Sequence, residues 1–164
     1  MSEWFANYGY REVADGLLLG ALPHDGDDVD VLRREGVTAV VNLVEDEEYA
    51  DEQARPAVER ALADAGIAER RIRLVDFGRL PVEQLDEAVA AVCELLEAGE
   101  RVYLHCRAGW QRSAAVAIGA VALREDIELG EALGRIQRRK PSAAPLAHQW
   151  EDLSRWWRDR GSVR

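Results

Sequence analysis

Lysine is nearly missing from this 164-residue chain, with Lys140 standing alone among 21 basic residues. Arginine supplies the rest, a bias that suits a GC-rich genome or a high-salt interior without separating the two. Cysteine is scarce too: only Cys93 and Cys106 occur, so no disulfide framework of the kind that staples small secreted domains is at hand. No apolar run approaches the roughly 20 residues of a membrane span, which argues against stable membrane insertion. The opening MSEWFANYGY lacks the basic start and apolar stretch of a secretory signal. A cytoplasmic location with both thiols reduced is therefore expected. Positive charge is also in deficit, 31 acidic residues against 21 basic giving a formal net charge of −10. That balance disfavours a nucleic-acid partner and requires any affinity for anions to be local. His24 and His148 are not spaced with carboxylates or cysteines as metal ligands, and surface or capping roles suit them better. Neither a metal nor another cofactor is expected.

What is present is enough for one ordinary domain over 1–164, which at this length buries about two-thirds of its unfolded surface. It is read as a monomer. Mostly continuous apolar runs at 16–22 (GLLLGAL), 37–44 (VTAVVNLV), 71–77 (RIRLVDF) and 101–106 (RVYLHC) suit strands covered on both faces. Between them, 55–65 and 82–98 carry apolar residues at three- and four-residue steps and stop at Gly66 and Gly99. After Cys106 the pattern turns helical: 113–123 is apolar on every face, 129–139 is amphipathic, and 145–160 carries Leu146, Trp150, Leu153 and Trp157 on one stripe. The reading is an α/β fold, a central and mostly parallel sheet flanked by helices, with an all-helical C-terminal half.

One loop of this fold carries chemistry. Residues 107–112 connect the end of a buried strand to the start of a buried helix, where open α/β sheets bind ligands and where free N–H groups and the helix dipole favour an anion. A cysteine beside a helix N-terminus or a cation has its pKa lowered from about 8.5 into the range of about 3.5–7.5, which is the expectation for Cys106. Arg112, six residues further on, presents a planar guanidinium that binds two phosphate oxygens at once. The pair reads as a nucleophile facing a bound phosphoryl group.

The stretch HCRAGWQRS (105–113) resembles the H-C-x5-R-S/T signature of the cysteine-dependent protein tyrosine and dual-specificity phosphatases. The resemblance implies a phosphatase-like fold and hydrolysis of phosphate monoesters through a phosphocysteine intermediate. It assigns Cys106 as nucleophile and Ser113 as the hydroxyl that helps the thiolate leave. Arg107, Ala108, Gly109, Trp110, Gln111 and Arg112 become the phosphate-binding cradle. It also calls for an acid upstream, and LVDFGRLP (74–81) supplies Asp76 at a strand end, in a Gly- and Pro-containing loop mobile enough to swing over the phosphate. The likeness extends over nearly the whole chain. LLLGALP (17–23), VTAVVNLVEDEEY (37–49) and the C-R-A-G start of the loop are similar to the branch that contains the mitochondrial phosphatidylglycerophosphate phosphatase.

The remaining residues have blander readings. His105 is expected to brace the loop through hydrogen bonds, and Asn42, near the end of the second strand, to support it. Cys93 sits on the apolar stripe of 82–98 and reads as packing, with a resolving thiol for Cys106 as the alternative. Trp110 is expected to form a wall or roof of the pocket. A shallow site accepting phosphotyrosine and phosphoserine/threonine in proteins is the leading substrate expectation. A phospholipid is the alternative, opposed by the net charge, by Trp110–Gln111 where lipid phosphatases often place small or basic residues, and by the acidic residues at 45–48.

Overall fold

A computed structural model describes residues 1–162. Its centre is a five-stranded sheet in the order β1-β2-β5-β3-β4, formed by Tyr10–Ala14, Leu17–Gly20, Ala39–Asn42, Ala68–Arg71 and Val102–His105 in chain order. Strands β2, β5, β3 and β4 run parallel, and only β1 is antiparallel to its neighbour. The three inner strands are LLLG, AVVN and VYLH, every residue of which is buried. That follows from their two-sided cover: alternate residues go to opposite faces, so Leu17, Leu19, Val41 and Leu104 pack in one cluster while Leu18, Val40 and Tyr103 pack in another.

Helices α1 (Glu3–Tyr8), α2 (Gly26–Arg34) and α3 (Ala54–Asp64) lie with the second cluster, and α4 (Val82–Glu97), α5 (Arg112–Glu125), α6 (Leu129–Arg139) and α7 (Ala147–Ser162) with the first. The amphipathic pattern at 82–98 and the uniformly apolar 113–123 correspond to α4 and α5, and Arg112 to Ala122 of α5 are all buried. Gly119 opens room for α7: a Cβ there would stand 3.1 Å from the Trp156 ring. Short α1 is fastened by its cap, because Ser2 donates from both its backbone N and its hydroxyl to the Asp28 carboxylate at 2.7 and 2.6 Å, and Phe5 is fully buried.

The strand expected at 71–77 is displaced. The fourth strand is Ala68–Arg71, AERR, half-exposed at the sheet edge, and 72–77 is irregular with Val75 and Phe77 exposed. Ile72 and Leu74 are buried without being paired as a strand, which is what made the run look continuous. An edge strand needs no apolar outer face, so its charged residues hid it. The antiparallel β1, α1 and α2 were likewise not foreseen.

The C-terminal ends of β2, β3 and β5 meet at one edge, and His105 closes β5 there. It is 1% exposed, and its Nδ1–H donates to the Cys106 carbonyl at 3.0 Å. Burial pushes its pKa down to about 4, only partly opposed by that hydrogen bond and by the charge of Glu69. The folded ring is therefore neutral where the unfolded one, near its ordinary value of about 6.5, takes up a proton. The stability this represents is whole above pH 6.5 and drains away as the pH falls toward 4, by about 3 kcal/mol. Chemical denaturation at pH 7.5 and 5.0 should show wild type losing ~2 kcal/mol more than His105→Gln between the two. Equal losses would remove His105 as the titrating group.

Candidate active site

The loop at 106–112 leaves β5 and enters α5 with its backbone held from behind. The Arg107 carbonyl accepts from Leu22 N at 3.0 Å and from Trp4 Nε1 at 3.0 Å, and the Trp110 carbonyl accepts from Ala144 N at 2.7 Å. Gly109 is obligatory on two counts. Its φ of 77° is left-handed, and a Cβ would lie 2.6 Å from the carbonyl carbon and oxygen of Gly20. Among the described residues, the N–H groups of 107–112 donate to no protein acceptor. Such a run of open amides at a helix N-terminus favours an anion.

Cys106 is 3% exposed, and its Sγ lies 3.1 Å from Ser113 Oγ. Arg112 is wholly buried. Its Nη1 and Nη2 donate to the two Glu48 carboxylate oxygens at 2.8 and 2.6 Å, and Nη1 also reaches the Leu74 carbonyl at 2.8 Å. Nη2 lies 3.1 Å from Asp76 Oδ1. Burial works against the guanidinium charge, but the Glu48 hydrogen bonds and the fields of Cys106, Glu48 and Asp76 more than offset it, and the pKa is raised. Arg112 Nε, also buried, has no protein partner. The arginine is thus clamped on one side and keeps a donor open for an anion.

Asp76 sits in a turn five residues beyond β4 instead of at a strand end. The turn is tied down: Phe77 adopts a left-handed φ of 59°, its N donates to Asp76 Oδ1 at 3.1 Å, and its carbonyl accepts from His148 Nε2 at 2.8 Å. Leu80 N and Arg79 Nη2 donate to Asp152 at 2.7 and 2.6 Å, and Gln149 Nε2 donates to the Gly78 carbonyl at 3.2 Å. Four side-chain links to α7 hold the segment expected to swing freely.

Cys106, Arg112, Ser113 and Asp76 therefore come together, with 107–111 around them. Asn42 does not join them. Buried at the end of β3, it donates to Tyr49 Oη at 2.9 Å and Glu69 Oε2 at 3.2 Å, and its Oδ1 accepts from Val44 N at 2.9 Å. It braces the turn that carries Glu48 and not the loop, because the side chain leaves β3 toward β4. Cys93 packs against α5, its Sγ 3.9 Å from the Ala120 carbonyl. Ala120 is eight residues beyond Arg112, about 12 Å along the helix, too far for a ready disulfide with Cys106. Half of the acidic segment at 45–48 is neutralised, Asp46 by Arg71 at 2.7 Å and Glu48 by Arg112, so its expected repulsion of anions does not hold for these two.

Three contributors escaped the sequence. Glu48 was seen only as acidity, although a fully buried arginine demands a carboxylate. Trp4 and Tyr8 of α1 line a cavity of about 230 Å³ with Asp76, Phe77, Cys106 and Trp110, and nothing local marks them. Trp110 is indeed in its wall, 42% exposed.

Comparison with known proteins agrees with this geometry. The dual specificity phosphatase catalytic domain matches residues 18–159. Tk-PTP in its active form superposes with a TM-score of 0.78 at 26% identity, over 90% of this chain and 95% of that one. Human DUSP28 does so at 0.75 and 24%, over 94% and 99%. PTPMT1, at 23% identity, shares the fold with a TM-score of 0.79 over 95% of this chain and 100% of its own. The chain belongs to the dual specificity phosphatase family and is a cysteine-dependent phosphatase.

Proposed function

We propose that the chain hydrolyses phosphate monoesters on proteins, with Cys106 as nucleophile. The observation that carries this reading is the convergence of the Cys106 thiol and the loop of open amides in one pocket with Asp76, against which the buried, clamped Arg112 stands at 3.1 Å. The loop N–H groups and Arg112 hold the non-bridging oxygens. The Cys106 sulfur attacks phosphorus, the ester P–O bond breaks, and Asp76 gives its proton to the leaving oxygen. In the second half Asp76, now a carboxylate, takes a proton from the attacking water. The P–S bond breaks, and Ser113 stabilises the departing thiolate by hydrogen bond.

The phosphoprotein reading rests on the family and on a small, aromatic-lined cavity. A lipid substrate is the second reading, favoured by the shared fold of a PTPMT1 structure in complex with PI(5)P, at 22% identity. The two separate in a panel of phosphotyrosyl and phosphothreonyl peptides, phosphatidylglycerophosphate and phosphoinositides at matched salt. Peptides are expected to show the higher kcat/KM, and a value for phosphatidylglycerophosphate ten or more times that of every peptide would promote the lipid.

Two variant series test the roles. Cys106→Ser should lose turnover of an aryl phosphate while still binding vanadate, and Arg112→Lys should fall by roughly 10²–10³, the scale of losing a preorganised transition-state donor. Appreciable turnover by Cys106→Ser would exclude it as nucleophile. Asp76→Asn should lower kcat by about 10²–10⁴, more for alkyl than for aryl leaving groups, and flatten the basic limb of the pH–rate profile. Wild-type behaviour on both substrates would assign the proton to another group.

A further inference from the structure

Apolar packing does not explain where Asp76 stands. Residues 72–81 form neither helix nor strand, and the chain neighbours of Asp76, Val75 and Phe77, are 56% and 64% exposed. Burial fixes only the flanks of this segment, at Ile72, Leu74 and Leu80. Its crest is fastened from α7, where the buried Asp152 spends its two carboxylate oxygens on different groups: Oδ1 accepts from Arg79 Nε and Nη2 at 3.1 and 2.6 Å, and Oδ2 from Leu80 N at 2.7 Å. One turn earlier on α7, His148 Nε2–H donates to the Phe77 carbonyl at 2.8 Å. That bond secures the residue whose left-handed φ of 59° persists only if its surroundings over-determine it.

The helix that supplies these links is docked on the helix that supplies Arg112. Leu153 and Trp156 of α7 are buried in one cluster with the apolar residues of α5, Trp156 Nε1 donates to Asp86 of α4 at 3.0 Å, and a Cβ on Gly119 of α5 would meet the Trp156 ring at 3.1 Å. Asp76 and Arg112 are thus referred to one packed helix pair, and the 3.1 Å between Asp76 Oδ1 and Arg112 Nη2 is set through it. A displacement of about 1 Å from the working geometry can cost roughly a hundredfold in rate. We propose that Asp152 and His148 are positioning residues for the reaction, which seat the Asp76 carboxyl at the phosphate site by holding the turn at 77–80 from α7. Neither lines the cavity at Cys106, so both act through Asp76. This deepens the function proposed above and rests on its assignment of Asp76 as the acid.

Positioning and bare stability are separated by a double-mutant cycle. Asp152→Ala and His148→Ala should each lower kcat for an alkyl phosphate by about ten- to a hundredfold, lower it less for an aryl phosphate, and flatten the basic limb of the pH–rate profile. Vanadate affinity should stay at the wild-type value, because the loop amides and Arg112 are untouched. His148→Gln, whose amide N–H can still serve the Phe77 carbonyl, should recover most of the loss. In the Asp76→Asn background the same alanine substitutions should cost less than about twofold more, since an acid already removed cannot be misplaced. An undiminished kcat in His148→Ala, at a half-buried site where the fold tolerates the change, would overturn the proposal even if Asp152→Ala failed to fold. So would an equal loss with and without Asp76. Wild-type turnover by Asp76→Asn itself would instead overturn the assignment of the acid, so the two failures are read apart.

Discussion

The pairing of Arg112 with Glu48 is the constraint on which this site is built. A guanidinium with no exposed surface carries a desolvation cost that is tolerable only when its charge is matched and its donors are used. Glu48 takes two of those donors, Leu74 supplies a neutral acceptor, and Asp76 stands on the same Nη2. Removing a partner from such a buried pair typically costs about 3–5 kcal/mol. One side chain thereby ties together the turn after β3, the segment after β4 and the start of α5.

The rest of the pocket is organised so that the loop does not have to be ordered when substrate arrives. Gly109 packs its α-carbon against the end of β2, where no other residue fits, and the carbonyls of Arg107 and Trp110 are spent on Leu22, Trp4 and Ala144. With the carbonyls so engaged, the amides are left without protein acceptors, and donors fixed in advance stabilise developing negative charge without reorganisation. His105 contributes from beneath. Its neutral ring donates to the Cys106 carbonyl without placing a second cation under the cradle.

The segment that carries Asp76 is organised by a distant element. Asp152 and Gln149 of α7 hold Arg79, Leu80 and Gly78, and His148 holds the Phe77 carbonyl in a left-handed conformation. Such a φ is strained for a bulky residue and persists only where surrounding contacts over-determine it. The C-terminal helix, which shares no sequence neighbourhood with Asp76, thus decides where its carboxyl stands. On the opposite side of the mouth α1 plays the matching part, presenting Trp4 and Tyr8.

How far the sequence reached depended on whether the signal was local. The inner strands were legible because two-sided burial forces continuous apolar runs, and α4 and α5 because helical periodicity and uniform apolarity survive in one dimension. Cys106 and Arg112 were legible for a related reason: a strand, a tight loop and a helix N-terminus are consecutive in the chain, so their spacing is their geometry, and Ser113 followed from the resemblance of that stretch to the phosphatase signature. Asp76 was sought because the resemblance calls for an upstream acid and was located in a Gly- and Pro-containing segment, but its strand was misplaced, since an exposed edge strand such as AERR carries no hydrophobic pattern. Glu48, the Asn42 brace, the α7 clamp and the aromatic wall were decided by tertiary structure alone. Each joins residues far apart in sequence, and the physical pressures that pair them, compensation of a buried charge and contact between rings, act through space and leave no periodicity along the chain.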